Sequence, residues 1–206
     1  MKMTAWIIPF TALILVGGCA TMSEEECLTA DWRAIGYEDG AAGLQIAQLS
    51  KRREACAKHG VRPDTASYRT GRDEGLQLYC TEHQGFRLGR AGGTYSGVCP
   101  ADLEGLFLRG HSAGRDIYLA QSAVNQVASA ISDLEREREH ILDDITEMSA
   151  HLVSDEATKE ERVTLLADIA RLKERHTELE LDIEDLEQEL ALREAEYQEV
   201  LARSPY

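Results

Sequence analysis

Two stretches of this 206-residue chain repeat one spacing of soft ligands, Cys56-x-x-His59 and Cys80-x-x-His83. Two thiolates and two imidazoles would make a tetrahedral Cys2His2 set around a zinc ion. The same cysteines support a different chemistry. With Cys19 set aside for a reason given below, Cys27, Cys56, Cys80 and Cys99 form an even number in a small domain, the pattern of two disulfides in an oxidising compartment. A zinc site would leave Cys27 and Cys99 unexplained, so the reading is disulfides and no metal, with Cys56, His59, Cys80 and His83 as the metal alternative. Four cysteines allow three pairings. Cys27 with Cys56 and Cys80 with Cys99 are preferred because each pair closes a local loop. No Cys-x-x-Cys-His occurs, which excludes the usual covalent haem attachment.

Acid–base chemistry has candidates but no arrangement. His59, His83 and His111 are available bases, and Asp31, Asp39, Asp73 and Glu74 supply carboxylates, yet no spacing ties them into a nucleophile, base and orienter. Ser96 lies in Thr94-Tyr95-Ser96-Gly97, which lacks the Gly-x-Ser-x-Gly elbow of hydrolases. Neither a dinucleotide fingerprint nor a phosphate-binding loop is present. Arg69, Arg72, Arg87 and Arg90, near Asp73 and Glu74, read as surface ion pairs. Their second reading is a grip on an anionic glycan or peptide carboxylate. The expectation is a protein that is not an enzyme and carries no cofactor.

Cys19 is set aside because of what precedes it. Lys2, a short apolar run from Ala5 to Val16 and then Leu15-Val16-Gly17-Gly18-Cys19-Ala20 spell an export signal ending in a lipobox. The run is about a dozen residues, too short for the roughly 20 that span a bilayer. Residues 1–18 are therefore expected to be a signal peptide, cleaved after Gly18, with acyl chains on Cys19 and a short linker through residue 26. Several acyl chains on one cysteine hold a protein to a membrane far more firmly than one. Ala20, where inner-membrane lipoproteins commonly carry aspartate, favours the outer membrane with the chain facing the periplasm.

The elements that must position these residues divide by composition. Of 22 basic and 37 acidic residues, 13 of each precede residue 116, so the net charge of −15 lies wholly in the C-terminal segment. Glycine disappears after Gly114. Two modules are expected: a cysteine-containing domain over 27–115 and an acidic coiled coil over 116–203. The acidic surplus makes nucleic acid an unsuitable partner.

In the first module an aromatic residue followed by glycines recurs at helical spacing: Tyr68, Gly71, Gly75; Phe86, Gly89, Gly93; Phe107, Gly110, Gly114; and, more loosely, Trp32, Gly36, Gly40. Positions three and four apart share a helix face, so each copy sets a ring beside a groove that another backbone can enter. An interior glycine costs about 1 kcal/mol relative to alanine, which close helix packing would offset.

In the second module a heptad seam runs through Ile117, Ala120, Val124, Val127, Ile131, Leu134, Arg138, Ile141, Ile145, Met148 and Leu152. A second runs through Leu165, Ile169, Leu172, His176, Leu179, Ile183, Leu186, Leu190, Arg193, Tyr197 and Val200. Thirteen residues separate Leu152 from Leu165, where an unbroken heptad needs ten or seventeen. Thr158 and Glu161 form a capping-box pattern in the gap. These features predict an antiparallel hairpin with its turn near 153–158; the alternative is one continuous helix pairing with a second chain. Arg138, His176 and Arg193 in the seams read as setters of register or oligomeric state.

The runs Asp31-Trp32-Arg33-Ala34-Ile35-Gly36-Tyr37-Glu38-Asp39-Gly40, Arg53-Glu54-Ala55-Cys56, Tyr68-Arg69-Thr70-Gly71-Arg72-Asp73-Glu74-Gly75-Leu76, Tyr79-Cys80, Gly85-Phe86-Arg87-Leu88-Gly89 and Val98-Cys99-Pro100 resemble a family of proteobacterial envelope lipoproteins catalogued as a domain of unknown function, over about residues 24–118. The resemblance implies lipidation, an envelope location and the fold, and it carries no catalytic residue. The expected fold is mainly α: a small disulfide-stapled helical domain followed by a long antiparallel hairpin or coiled coil. The expected role is a membrane-anchored periplasmic scaffold, using its coiled coil for a protein partner or self-association. The alternative is a ligand-binding or metal-dependent first domain acting on cell-wall-derived molecules, with the coiled coil as a spacer.

Overall fold

A computed structural model describes residues 22–206, so the expected signal segment and Cys19 lie outside the described residues. The described chain is helical, with no strand: α1 (Glu24–Thr29), α2 (Trp32–Ala41), α3 (Ala47–Ala57), α4 (Thr65–Tyr79), α5 (Glu82–Arg90), α6 (Ala101–Val153) and α7 (Lys159–Arg203). It forms two compact units, one ending at Tyr79 and the other running from Cys80 to Tyr206.

The first unit is built on α2 packed against α4. Each helix starts on a carboxylate cap: Asp31 accepts from the amides of Arg33 and Ala34, and Asp64 from those of Ala66 and Ser67. Gly36 and Gly40 of α2 lie against the Tyr68 and Arg72 carbonyls of α4, and Gly71 and Gly75 of α4 lie against the Arg33 and Tyr37 carbonyls of α2. A Cβ at any of the four would overlap an opposing carbonyl oxygen, so the two backbones approach as closely as helices can. The core beside this contact comprises Cys27, Trp32, Leu49, Cys56 and Tyr68.

The second unit contains an equivalent pair made by α5 and the start of α6. Gly85 and Gly89 lie against the carbonyls of Phe107 and His111, while Gly110 and Gly114 lie against those of Glu82 and Phe86. The expected Phe86, Gly89, Gly93 set is corrected here. The packing glycine before Gly89 is Gly85, and Gly93 lies in the loop beyond α5, next to Gly92 in the left-handed backbone region (φ 74°).

Helix α6 then continues without a break for 53 residues, about 80 Å at 1.5 Å per residue. The composition boundary expected at residue 115 thus falls inside a helix. Its distal part pairs with α7 in an antiparallel hairpin. Val127, Ile131 and Ile183 are buried together, with Leu134, Leu186 and Leu190 against them, and farther toward the tip Arg175 of α7 bonds Glu137 of α6 at 3.0 Å. Every residue of both expected seams is buried or half-buried, so the apolar stripes are satisfied within one chain. Of the seam's charged members, Arg193 reaches Glu189 and Glu196 at 3.1 Å each, and His176 lies 3.7 Å from Glu180.

The turn follows Val153. Thr158 caps α7, with its hydroxyl accepting from the Glu161 amide while the Glu161 carboxylate accepts from the Thr158 amide at 2.8 Å. Arg162 closes the other side, donating to the carbonyls of Leu152, Ser154 (2.7 Å) and Ala157 (3.2 Å), at the end of α6 where a cation is favoured. The far end of α7 returns to α5: Arg90 donates to the Tyr197 hydroxyl at 3.3 Å, and Tyr206 stacks on Phe86 with ring centres 4.4 Å apart.

Two predictions follow from this packing. Gly71→Ala in the first unit or Gly110→Ala in the second should cost about 3 kcal/mol or more, because backbone must move to admit the methyl group. Gly105→Ala, where an added Cβ meets nothing, should instead stabilise α6 by about 0.5–1 kcal/mol; denaturant titration of the three variants measures both signs. At the turn, the hydrogen bonds from Thr158 hold the Glu161 carboxyl below its ordinary 4.5. Its folded value is the lower one, so its contribution is complete above the unfolded value and is lost as pH falls through the folded one. An NMR titration should find Glu161 titrating below 4.5, and Thr158→Ala, which removes the hydroxyl but keeps the more effective backbone amide, should raise it only part of the way.

Candidate functional site

Cys27, Cys56, Cys80 and Cys99 are spent on cross-links. Cys27 of α1 is bonded to Cys56 of α3, and Cys80 is bonded to Cys99, with sequence separations of 29 and 19. Loops of these lengths correspond to about 3–4 kcal/mol of stabilisation each. Cys56 and Cys80 therefore offer no thiolate, and the Cys56, His59, Cys80, His83 alternative is corrected: its sulfurs lie in different units, each tied to another cysteine. His59 sits 4.0 Å from Glu24, and His83 is exposed at the start of α5.

Asp31 caps α2, Glu74 pairs with Arg33 at 2.5 Å, and Ser96 is exposed in the loop before α6. Arg69 and Arg72 belong to the first unit, Arg87 and Arg90 to the second. Arg90 is held by Gln121 at 2.6 Å as well as by Tyr197.

The structure does assemble one polar cluster that the spacing did not reveal. Asp39 of α2 is only 3% exposed and is gripped from two sides. Arg52 of α3 makes a two-point contact, Nη2 to Oδ1 at 2.6 Å and Nε to Oδ2 at 3.2 Å, and the Tyr68 hydroxyl of α4 donates to Oδ2 at 2.7 Å. Burial, followed by the hydrogen bond and charge of Asp39, pushes the Tyr68 hydroxyl well above its ordinary 10. Arg72, 9% exposed, donates from Nη2 to the Leu44 carbonyl at 2.9 Å, and its Nε has no hydrogen-bond partner among the described residues. A fork-to-carboxylate contact of this kind fixes the packing of three helices at once.

The second unit carries the same scaffold with different contents. Counting from the packing glycines, Gly36, Gly40 and Gly43 correspond to Gly85, Gly89 and Gly92; Tyr68, Gly71, Gly75 and Tyr79 correspond to Phe107, Gly110, Gly114 and Tyr118. Gly43 and Gly92 both have positive φ, 67° and 74°, and a Cβ on either would strike the ring of the matching tyrosine. His111 occupies the place of Arg72, and its Nε2 meets the Gly93 carbonyl at 2.8 Å where Arg72 meets the equivalent Leu44 carbonyl. The Asp39 position is taken by Leu88 and the Tyr68 position by Phe107. The two pairs are copies of one design, polar at its centre in the first unit and apolar in the second.

Residues 31–116 match the family model described as Protein of unknown function (DUF2799). That match opens on the Asp31 cap of α2 and closes two residues after Gly114, so the domain of unknown function spans both glycine-packed pairs and leaves the hairpin arm outside. No curated protein and no solved structure matches the chain.

The correspondence generates a double-mutant test. Asp39→Leu alone leaves Tyr68 and Arg52 without their partner and should cost about 3–5 kcal/mol; Tyr68→Phe alone should cost about 1–2 kcal/mol. The double variant, which copies Leu88 and Phe107 into the first unit, should be less destabilised than the two single effects added, by about 1–2 kcal/mol. Chemical denaturation of the three variants measures the coupling.

Proposed function

We propose that this protein is a lipid-anchored scaffold of the outer membrane, facing the periplasm, that engages a protein partner through its acidic hairpin arm. The observation that carries this reading is the state of the hairpin. Its apolar seams are closed against each other within one chain, so its outer faces are free to serve another molecule. Those faces carry most of the chain's acidic surplus together with exposed Leu166, Leu181 and Leu192. Location comes from the lipobox at Cys19, and reach comes from an arm that needs no second chain to hold it straight. Because α6 belongs both to the glycine-packed pair and to the arm, the arm emerges from its base without a hinge. No catalytic role is proposed: Asp31 is engaged in capping α2, and Asp39 is held by Arg52 and Tyr68.

The arm can be shortened without touching its base or its turn. Deleting 138–151 together with 163–176 removes two heptads from each helix, keeps register and shortens the arm by about 21 Å. The shortened protein should keep both disulfides and the unfolding transition of the first unit but lose its cross-linked partner in whole envelopes. An undiminished adduct would place partner capture elsewhere in the chain. Cys19→Ser should release the protein from the membrane fraction, and continued retention would overturn the lipid anchor.

A further inference from the structure

One surface of the first unit runs against the charge of the molecule. Between the end of α3 and the start of α4 lies a groove of about 610 Å³, with Ala57, Val61 and Pro63 as apolar lining and Arg53 and Arg62 among its residues. Neither arginine has an ion-pair or hydrogen-bond partner among the described residues, although most arginines of the chain do. Lys51 and Lys58 are also exposed on α3. Of the nearby carboxylates, Asp64 is spent on capping α4, which leaves Glu54 as the acidic member of the groove. The Cys27–Cys56 disulfide and the return of the Val61 amide to the Cys56 carbonyl (3.0 Å) hold this end of α3 in place.

The complement of that groove is present on the arm. Leu181 and Leu192 of α7 are 60% and 67% exposed. They are eleven residues apart, close to three helical turns, and so share one face about 16 Å long. Glu184 and Asp185 lie between them on that face, and neither has an ion-pair partner among the described residues. An apolar floor flanked by unpaired arginines on one surface, and leucines flanked by unpaired carboxylates on another, are the two halves of a helix-in-groove contact.

We infer that the Arg53–Arg62 groove docks the Leu181–Leu192 face of α7 from a second copy of this chain. The leucines enter the floor beside Ala57 and Val61, and Glu184 and Asp185 pair with the two guanidiniums. The contact joins two different surfaces, so it is heterologous: each copy offers a free groove and a free arm, and assembly continues from chain to chain. This rests on the reading of the arm as an interaction element and adds a self-contact near its base, separate from the envelope partner engaged by the outer part of the arm.

The test places a photo-crosslinking amino acid at Ala57 in the full-length chain, expressed as an equal mixture of light and heavy isotope forms. Irradiation of envelopes should give a dimer whose cross-linked peptides map to 178–196 and combine light with heavy chains. Arg53→Glu with Arg62→Glu should lower the yield roughly tenfold, as should Glu184→Arg with Asp185→Arg, because like charges then face each other. Mixing the two charge-reversed chains should restore it. Cross-links confined to single chains, cross-links only to a different protein, or no recovery on mixing would each overturn the inference. The shortened arm lacking 138–151 and 163–176 retains the Leu181–Leu192 face. Failure of this docking and failure of the scaffold reading are therefore separate results.

Discussion

The structure depends on backbone meeting backbone. In both units two helices are joined where glycines of one lie against carbonyl oxygens of the other, in both directions, leaving no room for even a methyl group. Four glycines within helices cost about 4 kcal/mol in helix propensity per pair. The close approach must return more than that through dispersion along the contact and weak Cα–H to carbonyl interactions. A contact made by main chain places little demand on side-chain identity elsewhere. That is why the same pair accommodates a buried carboxylate cluster in the first unit and Leu88 with Phe107 in the second.

Each unit then needs reinforcement suited to its size. The first is short and ties α1 to α3 through Cys27–Cys56, while Arg52 of α3 and Tyr68 of α4 converge on Asp39 of α2. The disulfide restricts the unfolded chain, and the carboxylate network orients the folded helices, so the two devices act on opposite sides of the equilibrium. The second unit closes its shorter loop with Cys80–Cys99 and gains a further brace from the end of α7, where Tyr197 and Tyr206 return to α5. The arm is therefore not an appendage to this unit, because its last residues help cover the unit's own base.

Features governed by local rules were legible in the residues. The heptad seams, the capping box of Thr158 and Glu161 and the packing role of glycine follow from spacing, and the structure displays each; of the three disulfide pairings the residues allow, the preferred local one is formed. The duplication was hidden because its halves are offset differently. The α2 residues map to α5 at a separation of 49, but the α4 residues map to α6 at 39, since the second loop is ten residues shorter. No single period aligns both helices. Counting from aromatic to glycine also selected Gly93 in place of Gly85. Asp39 was visible as a candidate carboxylate, but its partners come from 13 and 29 residues away on other helices, a convergence that only tertiary packing creates. Arg162 carries no sequence signal of its task, yet it satisfies three carbonyls at the turn.

The loss of glycine after Gly114 coincides with the end of the domain of unknown function, and packing gives it a physical meaning. Glycine is needed only where α6 faces α5; beyond that point the partner is α7, and larger seam residues set a wider spacing between axes. The composition change therefore marks a change of partner along one rod. A rod shared by two packing modes has no soft joint at the transition, since every residue from Ala101 to Val153 remains helical. Load applied to the arm is then resisted by the glycine contact at its base, where sliding α6 along α5 would drive a side chain into the opposing main chain. The same glycines that permit the close approach also fix its register, so the base of the arm resists sliding of α6 along α5.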